Sequence, residues 1–117
     1  NYKRSERVAD VIKEEVASMI LHGDIKDPRI GFVTITRVEL TPDMKEAKVF
    51  FSQIGSAEDK AKSRNGLNHA SGYVRRALAK RLDLRHIPNV SFVFDDSLEY
   101  ADHIEKVIKE MKEGGGR

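Results

Sequence analysis

The chain contains no cysteine and no tryptophan, only three prolines, and aromatic residues at 7%. Without cysteine there is no disulfide framework, no thiolate metal site and no cysteine nucleophile, and a reducing compartment is the natural setting. No apolar run is long enough to span a bilayer, and the first residues lack a charged-then-apolar leader pattern. A cytoplasmic protein with no membrane association is the expectation. The scarcity of aromatics, with no aromatic stripe, argues against base stacking across an open sheet. His22, His69, His86 and His103 are scattered and lack the short spacing of a zinc site. His69 and Ser71 lie close in sequence without a third orienting group, so no catalytic constellation is legible, and neither an enzyme nor a bound cofactor or metal is expected.

What is present is charge, at 34% of 117 residues, beside 39% hydrophobic residues, a composition that folds around one modest core. The net charge of +2 hides an uneven distribution. From Lys60 to His86 there are eight Lys or Arg residues against one acid, Asp83, a local charge of +7. The segments on either side are mildly acidic. A cationic stretch of this density points to a polyanion, because each neutralised phosphate releases condensed counterions.

Hydrophobic periodicity orders the chain. Val8, Val11, Ile12, Val16, Met19 and Ile20 share a helical stripe that Ser5 opens and Gly23 stops. Phe32 to Leu40 alternates as a strand, with Phe32, Thr34, Thr36, Val38 and Leu40 on one face and Val33, Ile35 and Arg37 on the other. Thr41-Pro42-Asp43 turns the chain into a second strand, Lys45 to Ile54, with Ala47, Val49 and Phe51 inward and Phe50 outward. Ser56 and Asp59 have capping-box spacing and open a helix from Ala57 to about Ala70. Ser71 and Gly72 interrupt it. A further helix places Val74, Ala77, Leu78 and Leu82 inward. Val90 to Phe94 is a short strand that follows a helical crossover and so pairs parallel with the second strand, Val93 facing outward. Asp95, Asp96 and Ser97 cap a last helix whose stripe is Leu98, Ala101, Ile104, Val107, Ile108 and Met111. Gly114 to Arg117 is a tail. The order α-β-β-α-α-β-α predicts an α+β fold, a three-stranded mixed sheet packed by helices, as one domain over 1–113 with a flexible tail at 114–117.

The chemistry concentrates at Asn68-His69-Ala70-Ser71-Gly72-Tyr73-Val74-Arg75-Arg76. A glycine between two helices permits a backbone angle that a Cβ disfavours and lets another backbone approach. The following helix N-terminus offers N–H groups to an anion, and Arg75, Arg76, Lys80 and Arg81 project beside it. A solvated basic face around a plain helix joint is the competing reading, and a protein–protein adaptor using the first and last helices is another.

Four segments in order resemble the ribosome-binding factor A family. They are Arg4-x-x-Arg7-Val8-Ala9-x-x-Ile12 with Glu15; Val33 to Leu40 followed by Thr41-Pro42-Asp43 and Ala47-Lys48-Val49; Leu67-x-x-Ala70-Ser71-Gly72-Tyr73-Val74-Arg75; and Leu84-Arg85-x-Ile87-Pro88-x-Val90-x-Phe92-x-x-Asp95-x-Ser97. The resemblance implies a type II KH-like fold in which Ala70-Ser71-Gly72 replaces the Gly-x-x-Gly loop of ordinary KH domains. It also implies binding to the free small ribosomal subunit and its immature ribosomal RNA, in support of late assembly and 5′-end processing, with most importance in the cold. A monomer is expected. The RNA-binding residues expected from the basic segment together with this helix joint are Arg64, Ala70, Ser71, Gly72, Arg75, Arg76, Lys80, Arg81 and Arg85. Whether Arg4 and Arg7 also touch RNA is left open.

Overall fold

A computed structural model describes residues 4–97 and 107–112. Helix α1 spans Arg4–Leu21, strands β1 and β2 span Thr34–Leu40 and Glu46–Ser52, helices α2 and α3 span Ala57–His69 and Ser71–Arg81, and strand β3 spans Asn89–Phe94. Residues 107–112 are helical and complete the expected order α-β-β-α-α-β-α. The stripe positions Leu98, Ala101 and Ile104 and the tail 114–117 lie outside the described residues. Where the closing helix is described, Val107 of the expected stripe is half-buried, while Ile108 and Met111 are 47% and 69% exposed.

The helix ends follow local chemistry. Helix α1 stops where Gly23 adopts a positive φ of 73°. The Gly23 N–H then bonds to Ile20 O and the Asp24 N–H to Met19 O, which satisfies carbonyls the helix leaves open. Ser5 lies inside α1 rather than capping it. The capping box before α2 forms as expected, with Ser56 accepting from the Asp59 N–H and Asp59 accepting from the Ser56 N–H.

The sheet runs β1-β2-β3, with β1 and β2 antiparallel and β2 and β3 parallel, the pairing the crossover predicts. Simple alternation fails at one point in β1. Ile35 pairs with Phe51 and Arg37 with Phe50, so Thr36 is an extra residue in a bulge. The bulge resets the phase. Ile35 therefore faces the core, and Val38 and Leu40 pack against the same core beyond it. The cause is tertiary. The Thr36 hydroxyl donates to Asp95 Oδ2 at 2.6 Å, a bond from β1 to the end of β3. Asp95 is 4% exposed and also accepts from the Ser97 hydroxyl and N–H. The Ser97 and Thr36 hydrogen bonds, outweighing burial, lower its pKa to about 2.

One face of the sheet carries the core. Ile12, Val16 and Met19 of α1, Leu67 of α2, and Val74 and Leu78 of α3 meet Ile35, Val49, Phe51 and Phe92. Truncating Phe51, which is fully buried, would cost about 3–5 kcal/mol. On the reverse face Phe50 is not an open stacking platform. It is 9% exposed, and the Arg37 guanidinium lies 3.9 Å from its ring centroid.

Candidate nucleic-acid interface

Helices α2 and α3 break at a single residue. Ala70 has φ −85° and ψ 0°, and its N–H still reaches Gly66 O and Leu67 O. Two side chains hold this break in place. Asn68 donates to Phe92 O at 3.1 Å and accepts from the Phe92 N–H at 2.8 Å, so its amide acts as one more residue of strand along β3. The Ser71 hydroxyl donates to Asn68 O at 2.7 Å, bonding a carbonyl at the break. Ser71 and Ala70 are half-buried and belong to the joint itself.

Gly72 does not play the backbone part expected of it. It lies in the first turn of α3, and the positive-φ glycines of the described residues are Gly23 and Gly55. A Cβ built on Gly72 would meet only Arg76 Nη1, at 3.5 Å. The glycine keeps the surface low rather than bending the chain. Gly66, one turn before the break, is the opposite case. A Cβ there would lie 2.8 Å from Ile30 Cγ1 and 3.3 Å from Arg29 Cβ, because the 27–31 loop packs directly on α2.

The outer side of α3 carries two adjoining hollows. One, of about 430 Å³, is lined by Gly72, Arg75, Arg76, Ala79, Arg85, His86 and Ile87. The other, of about 230 Å³, is lined by Tyr73, Arg76, Ala77, Lys80 and Arg81. Arg76 lines both. No carboxylate lines either hollow.

The predicted cations differ in how they are held. Among the described residues Arg64, Arg76, Lys80 and Arg85 have no ion pair or hydrogen bond to a side chain. Arg75 donates from Nη2 to Ile87 O at 3.1 Å and from Nε to Pro88 O at 3.3 Å, tying α3 to the segment that leads into β3. Its partners are neutral, so it keeps its charge at the hollow. Arg81 is different. It bonds Glu15 Oε2 at 3.1 Å and Asp24 Oδ2 at 3.4 Å, and the Glu15 bond chiefly raises its pKa. Two carboxylates outweigh its charge, and its role is to bind α3 to α1. Arg64 stands on α2, exposed, and is not among the residues lining either hollow. Two further lysines of the basic segment are turned elsewhere: Lys60 lies over the Phe94 ring at 4.9 Å and Lys62 pairs with Glu58 at 3.4 Å.

The site thus gathers Gly72, Arg75, Arg76, Lys80 and Arg85, with two neighbours absent from the expected RNA-binding residues: Tyr73, inside the stretch the sequence singled out, and His86, outside it. The only signal for His86 was its place beside Arg85. Asn68 opens the stretch the sequence singled out, but its role in fixing the joint was not legible there, since its partner lies 24 residues away on β3. Among the described residues no group of three or more His, Cys, Asp or Glu residues is placed to hold a metal. No helix there is long and apolar enough to cross a membrane. Guanidinium forks around a low glycine surface, with no acid among them, make an anion-binding face suited to a sugar–phosphate backbone.

The family model described as Ribosome-binding factor A matches residues 4–108. The chain is 46% identical over 109 residues to ribosome-binding factor A of Citrifermentans bemidjiense, covering 93% of this chain and 91% of the relative. It is 48% identical over 112 residues to that of Syntrophobacter fumaroxidans, covering 94% and 95%. The crystal structure of ribosome-binding factor A from Thermus thermophilus superposes with a TM-score of 0.65 at 23% identity, over 78% of this chain and 96% of that one. A homology model of the Thermus thermophilus factor, fitted into a cryo-electron microscopy map of its complex with the 30S subunit, gives 0.61 at 24% identity, over 75% and 91%. A family model matching residues 4–108 and relatives 46–48% identical along nearly the whole sequence lead to one assignment: the chain belongs to the ribosome-binding factor A family.

Proposed function

We propose that this chain binds the free small ribosomal subunit and its immature ribosomal RNA, and supports late assembly and 5′-end processing, above all in the cold. It acts in the cytoplasm as a monomer, as one RNA-binding domain over 1–113, by binding alone and without catalysis or cofactor. The observation that carries this reading is the outer side of α3, where Arg75, Arg76 and Arg85 line a hollow with Gly72, Lys80 lines the adjoining one, and no carboxylate lines either. Family membership supports it, and so does the complex with the 30S subunit described for the Thermus thermophilus factor.

The mechanism follows from the chemistry of the face. Guanidinium and ammonium groups fix phosphates, which position the protein without reading sequence. Folded RNA presents its phosphates in a fixed arrangement, so shape supplies the recognition. Gly72 lets the strand lie close to the first turn of α3, Ala70 and Ser71 hold that turn in position, Arg81 anchors α3 through Glu15 and Asp24, and the exposed Arg64 on α2 extends the field. The bound protein holds an immature RNA conformation until the ordered subunit displaces it.

Co-sedimentation with separated subunits across a salt series tests this. If about five phosphates are neutralised, the log–log slope should be roughly −3.5 to −4.5. A flat series, or equal binding to large subunits, overturns the reading. Cells lacking the protein should accumulate small-subunit RNA with an unprocessed 5′ end, more at low temperature than at high.

A further inference from the structure

A third hollow lies apart from the two on the outer side of α3. It has a volume of about 380 Å³ and sits between the start of α1 and the segment after α3. Val8 and Val11 on one side and Leu82 and Leu84 on the other give it an apolar lining, with Arg4 and Arg7 on α1 and Asp83 opposite. The volume is at the lower end of the range for small-ligand sites, roughly 300–1,000 Å³. Val11 is 41% exposed, so the apolar surface is open to a visitor.

Three features bear on what occupies it. Arg4 and Arg7 are one helical turn apart, exposed, and without an ion pair or hydrogen bond among the described residues. They stand at the positive end of the α1 dipole, where a cation is disfavoured and an external anion relieves the repulsion. The hollow also neighbours the cationic face along the chain: Leu84 lines this hollow while the next residue, Arg85, lines the one beside Gly72.

We infer that the hollow between Arg4, Arg7 and Leu82–Leu84 is a nucleotide pocket, taking one unstacked nucleotide of the RNA held by the α3 face. The phosphate bonds to Arg4 and Arg7, the base lies on Val8, Val11, Leu82 and Leu84, and Asp83 accepts an N–H from the base edge. The inference rests on the proposed function and adds a second subsite to it. An apolar lining suits a base face, and bare phosphate contacts along a duplex would not require one.

The experiment uses the full chain with free small subunits. Val11 is replaced by the photoreactive p-benzoylphenylalanine, and crosslinked material is analysed for nucleotide or peptide. A crosslink to ribosomal RNA is expected. A crosslink to a ribosomal protein assigns the hollow to a peptide and overturns the inference, as does the absence of any crosslink. In parallel, Arg4→Ala with Arg7→Ala should reduce the salt slope by about 0.7 and weaken binding roughly fivefold near 0.1 M salt, the contribution of one single-strand phosphate. Its melting should match the parent. An unchanged slope with these two arginines removed, while Arg76→Glu with Arg85→Glu abolishes binding, sinks the pocket and leaves the proposed function standing. No loss with either pair sinks both.

Discussion

Gly72→Ala separates the backbone role of this glycine from its surface role. Gly72 has an ordinary negative φ in the first turn of α3, and its Cβ would touch nothing closer than Arg76 Nη1 at 3.5 Å. Alanine in place of glycine in a helix is worth about 0.8–1.0 kcal/mol, and less so close to an end, so a gain of about 0.5 kcal/mol is expected. Unfolding entropy of about 2.1 cal/mol/K per residue makes 1 kcal/mol worth roughly 4 °C in a chain of 117 residues. Tm should therefore rise by about 2 °C. The same change at Gly66 is the control. There the Cβ would crowd Ile30 Cγ1 at 2.8 Å, and overpacking of about 1–3 kcal/mol exceeds the helical gain, so Tm should fall. Thermal melting by circular dichroism reads both. If RNA backbone approaches Gly72, the added methyl should also weaken subunit binding by about 1 kcal/mol, roughly fivefold, in the more stable variant. A Gly72→Ala protein that melts below its parent refutes the helical assignment of this residue. One that melts higher and binds equally well refutes the close approach.

Arg75 and Arg76 should separate in the same way. Arg75→Ala removes two charge-assisted bonds to Ile87 O and Pro88 O and should cost about 1–2 kcal/mol, whereas Arg76→Ala should leave melting within about 0.5 kcal/mol and weaken subunit binding. Equal melting of the two variants would deny the tether. Asp95→Ala opens the Thr36 and Ser97 bonds and should lower stability by about 2–4 kcal/mol, measured by urea titration. The folded pKa of Asp95 lies below its unfolded value, so its contribution is present above about pH 4 and lost as pH falls towards 2. The variant's acid limb should be shallower than the parent's, though not flat, because Asp27 is held at about 2 by Arg29. A double-mutant cycle on Arg81→Ala and Glu15→Gln should give a coupling of only about 0.5 kcal/mol, since both side chains remain about a third exposed.

Local elements and charge were legible in the order of residues alone. The stripe of α1, the glycine at its end and the capping box before α2 are set by neighbours a few residues apart, where propensity and periodicity act, and the parallel return of β3 follows from the helical crossover that precedes it. The +7 segment was visible because charge is a property of composition. Packing in three dimensions settled the rest. The Thr36 bulge reverses the faces of β1 because a carboxylate 59 residues away claims that hydroxyl, and alternation carries no trace of it. The break between α2 and α3 falls at Ala70 because Asn68 bonds the edge of β3. The cations divide in the same way. Arg75 and Arg81 look alike in sequence, yet one rests on neutral carbonyls and keeps its field while the other is quenched by Glu15 and Asp24. Which charges stay available to a polyanion depends on partners brought together by packing, and one-dimensional order does not encode that directly.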